Sequence, residues 1–294
     1  IYVAALGIQT PFSSSFSGRV DFKDKALGEI SENFVSKSEG DPFLLIKAFN
    51  KWLSIKRSEK SRHSKIWCRK LGIIERRFYD MVQLCNQFKR LLNSLNFVKP
   101  DVLAHKINLS KTEVKELKDK KQELLNLPRK RKTLNADFNF VDEEDGDFGE
   151  LDVKDIEFRL GRSGSILGSL STEDMSLEDH ILFIVGLVQG LYPQYAIPDE
   201  SNGFRKDSEQ YFHTRDKQFL CLHPNSMFGL YPEYLKNKHP AGNQPWMLIY
   251  VGLLETTKPY LLNCTRVPAV PVLLLTCNLD TDERCSKIVA DSWL

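Results

Sequence analysis

The feature that most constrains this chain is an apolar stripe with helical spacing inside a strongly basic segment. Between residues 74 and 95 the apolar side chains recur at alternating steps of four and three, the spacing of one face of an α-helix. The stripe consists of Ile74, Phe78, Met81, Cys85, Phe88, Leu92 and Leu95. We predict a helix of about six turns whose apolar face is buried against neighbouring helices, with a coiled-coil dimer as the alternative.

Further segments around this stripe also have the pattern of helices. Asp41 and Pro42 are typical of a helix start, and the apolar residues that follow keep helical spacing through residues 41–53. Shorter helices are predicted for residues 64–72, which carry a Trp-Cys pair, and for residues 100–108. The first part of the chain, residues 1–109, is therefore predicted to be a helical bundle.

The last part of the chain, residues 173–294, has a different pattern. One helix is predicted in the segment SLEDHILFIVGLVQGLYP, and turn residues then separate four short β-rich runs. The runs are EQYFHT, QFLCLHP, WMLIYVGLLET and YLLNCTRV, followed by the apolar segment PAVPVLLL. Strands of this length and spacing favour a small Greek-key barrel, closed by a helix or short apolar turn.

The segment between these parts, residues 110–172, is dominated by charge. Residues 137–157 contain 10 acidic residues against one basic residue, Lys154. The basic run PRKRK at 128–132 fits either a solvated surface, a nuclear import signal or an RNA-contacting arm. Because apolar anchors are few, we predict a flexible charged linker here, with a Lys-rich helical stretch from Lys111 to Leu127. The fold class predicted for the whole chain is α+β.

The positive charge is concentrated rather than spread over the chain. The formal net charge is only +2, but residues 47–90 contain 13 Lys and Arg residues against three acids. Most of these bases are expected on solvated helix faces. Arg76 and Arg77 flank the apolar stripe, however, and an array of this kind can hold the phosphates of a nucleic acid.

The sequence contains none of the motifs examined for catalysis or cofactor binding. There is no G-x-x-x-x-G-K-[ST] phosphate loop, no G-x-G-x-x-G after a strand and no H-E-x-x-H. His213, Cys221 and His223 could suggest a metal, but the two histidines fall on different predicted strands, so structural histidines are favoured. We predict no catalytic residue, no metal site and no cofactor in this chain.

The cysteines and the hydropathy indicate the cellular compartment of the protein. The six cysteines have no C-x-x-C spacing, which favours reduced thiols and an intracellular protein, cytoplasmic or nuclear. No apolar run approaches the roughly 18 residues of a membrane span, so no membrane partner is expected. The chain also begins without Met inside an apolar segment, and we expect it to be a piece of a longer protein.

Two blocks of the sequence carry recognisable marks. Those of the first block are Gly40-Asp41, Trp52, Trp67-Cys68 and Gln87-Phe88; those of the second are residues 222–226 and Thr256-Thr257-Lys258. With these marks the first block resembles the ratchet-like helical bundle of DEAH-box RNA helicases, and the second resembles the auxiliary oligonucleotide/oligosaccharide-binding (OB) barrel of that family. The segments LLETTKPYLLNC and VADSWL are most similar to the member of the family linked to nonsense-mediated mRNA decay.

The resemblance implies both a fold and a function. The barrel at 173–294 would be OB-fold-like. The bundle would lie under single-stranded RNA, and the barrel would meet the RNA where it enters the channel. RecA-like motor domains would precede residue 1 and would hold ATP and Mg, while mRNA decay factors are implied as partners. The implied RNA-binding residues are Arg76, Arg77, Arg215, Lys217, Thr256, Thr257 and Lys258.

Two other functions remain open at this point. The barrel and acidic linker could form a protein-interaction module that docks decay or splicing factors, with basic faces that serve only solubility. The chain could also be an independent nucleic-acid-binding protein without a motor. An upstream phosphate loop and Asp-Glu-Ala-His box would exclude this last alternative.

Overall fold

The computed structural model describes residues 1–12, 40–58, 61–97, 111–126, 153–160, 177–206, 209–236, 245–282 and 287–294. The predicted helix at 100–108 and the basic run at 128–132 lie outside these ranges. The described part before the barrel is helical. Its helices are α1 (Tyr2–Gly7), α2 (Asp41–Ser58), α3 (Ser61–Lys70), α4 (Glu75–Ser94), α5 (Lys111–Asn126), α6 (Val153–Leu160) and α7 (Leu177–Leu191).

The apolar stripe on α4 is core in its middle and exposed at its ends. Phe78 and Met81 are fully buried. Ile74, Leu92 and Leu95 are exposed, so the prediction of a continuous buried face was wrong for these three residues. Among the described residues, the helices that pack on α4 cover only its middle turns.

Aromatic side chains form the centre of the bundle. Phe49 and Trp52 on α2 pack against Phe78 and Tyr79 on α4, and Phe158 on α6 packs against Trp52 and Tyr79. Ring centroids in these pairs lie 5.2 to 5.8 Å apart, mostly in tilted or edge-to-face geometry. Such pairs add specific contacts to the burial of apolar area.

A buried ion network joins α6 to this aromatic core. Lys56 Nζ lies 2.8 Å from Asp155 Oδ1 and 3.2 Å from Glu75 Oε1, with all three side chains largely buried. The indole Nε1 of Trp52 donates to Glu75 at 2.9 Å, and the Tyr79 hydroxyl donates to Asp155 at 2.8 Å. Each of the two buried carboxylates therefore has the Lys56 ammonium and a further hydrogen-bond donor beside it.

This arrangement corrects the prediction for part of the linker. The helical stretch predicted from Lys111 to Leu127 is confirmed by α5, but residues 153–160, which were expected to be flexible, are also a helix. The rest of the segment 110–172 lies outside the described residues. Ile156 is fully buried in the structure, α5 packs on α6, and Lys121 pairs with Glu157 at 2.7 Å. The acidic composition of α6 suggested a flexible segment, but two of its carboxylates, Asp155 and Glu157, form ion pairs with lysines of the neighbouring helices.

A second correction concerns the start of α3. The helix begins at Ser61, three residues before the predicted start at Ser64. The Ser64 side chain is buried and its Oγ donates to Glu75 Oε1 at 2.6 Å. The predicted end is confirmed, since Gly72 follows the helix with a φ of +63°.

The predicted small barrel is confirmed. Its strands are β1 (Tyr195–Pro198), β2 (Tyr211–His213), β3 (Leu220–Leu222), β4 (Trp246–Ile249), β5 (Gly252–Glu255), β6 (Pro259–Leu262) and β7 (Thr265–Pro268). The four β-rich runs of the sequence correspond to β2, β3, β4 with β5, and β6 with β7. Strand β1 was not predicted, because it has only four residues, the last of which is Pro198, and Pro193 lies just before it.

Pairing between the strands closes the barrel. β4 runs into β5 and β6 into β7, and these two long strands pair antiparallel along both parts. β1 pairs with β4 and β2, β2 pairs with β3, and β3 pairs parallel with β6. Two short helices, α8 (Met227–Leu230) and α9 (Glu233–Lys236), follow β3. Helix α10 (Ala269–Thr276) follows β7 as the sequence predicted, before a hairpin of β8 (Leu279–Thr281) and β9 (Ile288–Ala290).

The C-terminal segment is fixed to the barrel by one carboxylate. Asp291 accepts hydrogen bonds from the hydroxyls of Tyr195 at 2.6 Å and Tyr192 at 2.9 Å and from the backbone N–H of Asn278 at 2.9 Å. Burial raises the pKa of Asp291, but these hydrogen bonds outweigh it and bring the pKa down to about 2. The Trp293 ring stacks on Tyr195 with centroids 5.8 Å apart.

Gly40 and Asp41 join the bundle to the barrel. Gly40 forms a β-bridge with Thr265, and the Asp41 N–H donates to the Cys264 carbonyl at 2.9 Å. The Asp41 carboxylate accepts from the backbone N–H groups of Met227 and, at 2.8 Å, of Cys264. Burial raises the pKa of Asp41 to about 6, although these two hydrogen bonds act in the opposite direction. The two marks seen in the sequence therefore form the joint between the bundle and the barrel.

The joint predicts that Gly40→Ala is severely destabilising. A Cβ at Gly40 would lie 2.1 Å from the Cys264 carbonyl oxygen, and the φ of +152° disfavours other residues. We expect a loss of at least about 2 kcal/mol in the free energy of unfolding, measured by urea denaturation. Gly186→Ala is the control, because its Cβ would meet no atom within 4 Å and alanine favours the helix. Equal stability of the two variants would contradict the close approach at the joint.

The ion network predicts that Lys56 is structural although it belongs to the basic segment. Lys56→Ala leaves two buried carboxylates without their cation, which should cost roughly 3–5 kcal/mol. Lys51→Ala, at an exposed site on the same helix, should change stability by less than about 0.5 kcal/mol. Thermal or urea unfolding measures both. If Lys56→Ala is as mild as Lys51→Ala, the network does not stabilise α6.

Candidate nucleic-acid interface

The outer face of the barrel carries polar and aromatic side chains opposite a fully buried inner face. Phe212, Leu220 and Leu261 point into the core and are fully buried. On the other face, Tyr211 on β2 lies directly opposite Cys221 on β3. The alternation along each strand therefore separates a core face from a face that is partly open to solvent.

Two hairpins meet at the edge of this outer face. The β2–β3 hairpin turns tightly, since the Thr214 N–H donates to the Lys217 carbonyl at 2.8 Å. Lys217 forms an ion pair with Glu255, the last residue of β5. This contact brings Lys217 next to the β5–β6 turn, which carries Thr256, Thr257 and Lys258.

Most of the predicted barrel residues are open to solvent. Arg215, Thr256, Thr257 and Lys258 are exposed, and Lys217 is half-buried. The Thr256 N–H and hydroxyl interact with the Lys258 carbonyl at 3.2 and 3.3 Å. That bonding fixes the turn while the Lys258 side chain remains exposed. The structure thus places these predicted residues on two adjacent hairpins.

The two predicted arginines of the bundle lie on α4. Arg76 is exposed, and Arg77 is half-buried with its guanidinium donating to Gln9 Oε1. Both residues follow Glu75, whose side chain is held in the buried ion network. The Arg77 guanidinium is therefore partly used in a hydrogen bond within the helical part of the chain, whereas the Arg76 side chain is exposed to solvent.

The structure also reveals a cluster that the sequence did not single out. Arg205, Tyr211 and Phe219 line a pocket of about 320 Å³ together with Cys221, Lys258 and Pro259. Period-two alternation in EQYFHT could have placed Tyr211 on the outer face. Phe219 gives no such signal, because its exposure depends on a backbone φ of +58° that sequence alone does not indicate.

The histidines of the barrel have protein partners. His213 Nε2 lies 2.7 Å from Asp199 Oδ2, and this hydrogen bond is the main cause of the lowered pKa of Asp199. His223 Nδ1 accepts from the Asn225 N–H at 3.2 Å, and burial lowers the pKa of His223. Across the described ranges, no group of three or more His, Cys, Asp or Glu side chains is placed to hold a metal ion.

Comparison with known proteins identifies the relatives of this chain. Residues 186–279 match the family model described as oligonucleotide/oligosaccharide-binding (OB)-fold. In an alignment 326 residues long, gaps included, the chain is 34% identical to the probable ATP-dependent RNA helicase DHX34 of Homo sapiens. The chain is similar to an RNA helicase over almost its whole length. The mouse (Mus musculus) protein of the same name is 35% identical over 322 residues.

The alignments cover nearly all of this chain but only part of each relative. Each alignment covers 99% of this chain but 28% of the helicase relative, so the chain spans little more than a quarter of their length. The resemblance to a DEAH-box RNA helicase is thereby confirmed for this region, as is the OB fold of its second part. Among the described helices, none is long and apolar enough to cross a membrane.

The exposed position of Arg76 and the burial of Phe78 predict different effects of truncation. Phe78→Ala removes a fully buried ring and should cost about 3–5 kcal/mol. Arg76→Ala, two residues earlier on the same helix, should change stability by less than about 0.5 kcal/mol. Thermal melts of both variants test this difference. A destabilisation of Arg76→Ala comparable to Phe78→Ala would make Arg76 a structural residue.

Proposed function

We propose that this chain is an RNA-binding accessory region of a DEAH-box ATP-dependent RNA helicase, guiding single-stranded RNA during unwinding or remodelling. One observation carries the proposal: residues that the resemblance assigns to RNA lie together on two hairpins joined by the Lys217–Glu255 ion pair. They lie on an OB barrel in a chain similar to RNA helicases. OB barrels commonly present strands and loops to single-stranded nucleic acid.

The chemistry of this surface suits recognition of the RNA backbone rather than of particular bases. Arg215 and Lys258 offer charge to phosphates, Lys217 shares its charge with Glu255, and Thr256 and Thr257 offer hydroxyl groups. Contacts of these kinds position a strand but carry little sequence information. On the bundle, Arg76 would supply a further phosphate contact, with Arg77 beside it.

The motor chemistry would lie outside this chain. The sequence has no phosphate loop that could hold a nucleoside triphosphate, so the residues of this chain do not fit an ATP and Mg site. ATP and Mg would act in RecA-like domains of the same polypeptide, and this region would need no cofactor itself. A role in nonsense-mediated mRNA decay, with decay factors as partners and an intracellular location, forms the finer part of the proposal.

A protein-interaction module is the second candidate, and one observation favours it. Apolar side chains on α7 and α10 are exposed, among them Ile181, Leu182, Leu274 and Leu275. Exposed apolar groups of this kind are frequent at protein-binding surfaces. Loss of partner binding on Leu182→Ser and Leu274→Ser, with unchanged RNA affinity, would support this candidate.

The proposed function predicts RNA binding with steep salt dependence. With three to four phosphate contacts, affinity for a labelled oligouridine should fall roughly 20- to 50-fold between about 50 and about 200 mM salt. Lys258→Ala should weaken binding and lower the slope of log affinity against log salt by about 0.7. Lys287→Ala is the control, because this exposed lysine lies beside the β8–β9 hairpin. Undetectable or salt-independent binding by the wild type would reject the RNA-binding proposal.

A further inference from the structure

The pocket on the outer face combines aromatic rings with positive charge. Two of its six lining residues, Arg205 and Lys258, are cationic, two are aromatic, and none is acidic. Burial raises the pKa of the Cys221 thiol, while the Lys258 ammonium opposes this shift, so the thiol side of the pocket is neutral. A lining of this composition favours a ligand that is both flat and anionic.

Arg205 brings a positively charged group to this pocket. Its guanidinium carbon lies 4.5 Å from the centre of the Tyr211 ring, and its Nη2 lies 3.7 Å from Asp199 Oδ1. These contacts fix the plane of the side chain. The charge of Arg205 is therefore held at the wall of the pocket.

Phe219 presents a rigid ring at the same place. Its ring meets Tyr211 at 86° and His213 at 78°, with centroids 6.0 and 5.1 Å away. Edge-to-face contacts of this kind leave ring surface uncovered, and Phe219 is 53% exposed. An ordered aromatic face at a pocket is a platform on which a base can stack.

We propose that this pocket binds one nucleotide of the RNA strand, with its base stacked on Phe219. The Arg205 guanidinium and the Lys258 ammonium, which both line the pocket, attract the phosphate of that nucleotide. The volume of about 320 Å³ suits one nucleotide, since it lies at the lower end of small-ligand pockets. This inference rests on the proposed RNA-binding function and adds a base contact to a surface otherwise directed at the backbone.

The test compares two oligonucleotides and two phenylalanine variants. Phe219→Ala should weaken binding of the 294-residue chain to oligouridine about 5- to 150-fold, the range for loss of one stacked base. The same variant should bind an abasic ribose-phosphate oligomer as the wild type does, because no base is present to stack. Phe204→Ala is the matched control: Phe204 is 96% exposed and does not line the pocket. It should leave both affinities unchanged.

Further measurements separate the outcomes. Phe219→Tyr keeps the ring and should restore oligouridine affinity, and thermal melts should show that all variants fold. If Phe219→Ala binds oligouridine as tightly as the wild type, the nucleotide pocket is rejected and the backbone contacts stand. Equal loss for both oligomers would also reject stacking. If the wild type binds neither oligomer, the proposed function and the pocket fall together.

Discussion

The close approach of Gly40 to the barrel is the constraint on which the arrangement of the two halves depends. The backbone of Gly40 touches Cys264 and Thr265 with no room for a side chain. The next residue, Asp41, then begins α2 and also satisfies two backbone N–H groups of the barrel. One dipeptide therefore sets the start of a helix, the direction in which it leaves the barrel and the bonding of a barrel corner. Phe49 and Trp52 of the aromatic core follow on that helix.

Much of this architecture could be predicted because local pattern and tertiary packing agree. Periodicity located the buried middle of α4, and alternation located four of the five continuous strands. Prediction failed where packing overrides composition. Helix α6 has the charge of a flexible segment, yet Asp155 is held by Lys56 and Tyr79, and Ile156 is fully buried. No local pattern reveals that a lysine about a hundred residues earlier will neutralise a carboxylate.

In the candidate site, too, some features could be predicted from the sequence and others depend on tertiary packing. Family resemblance assigned Thr256, Thr257 and Lys258, and turn residues marked the hairpin of Arg215 and Lys217, so the hairpins were accessible to sequence reasoning. Their adjacency was not, because it depends on the parallel pairing of β3 with β6 and on one ion pair across the hairpins. The pocket also depends on the left-handed backbone of Phe219 and on Arg205, which contacts Asp199 after β1 and Tyr211 on β2.

The core that runs through both halves has a consequence for how such proteins are dissected. One continuous cluster of buried side chains includes Phe49 of the bundle together with Phe212, Met227 and Leu261 of the barrel. The match to the OB family covers only residues 186–279. A fragment cut at those limits would keep every strand of the barrel but lose the carboxylate that caps Met227 and the apolar wall against which the barrel rests. The segment that matches the family model is thus smaller than the unit that shares one hydrophobic core. Measurements on an excised barrel would describe the matched segment and not the stability or shape of the larger folding unit.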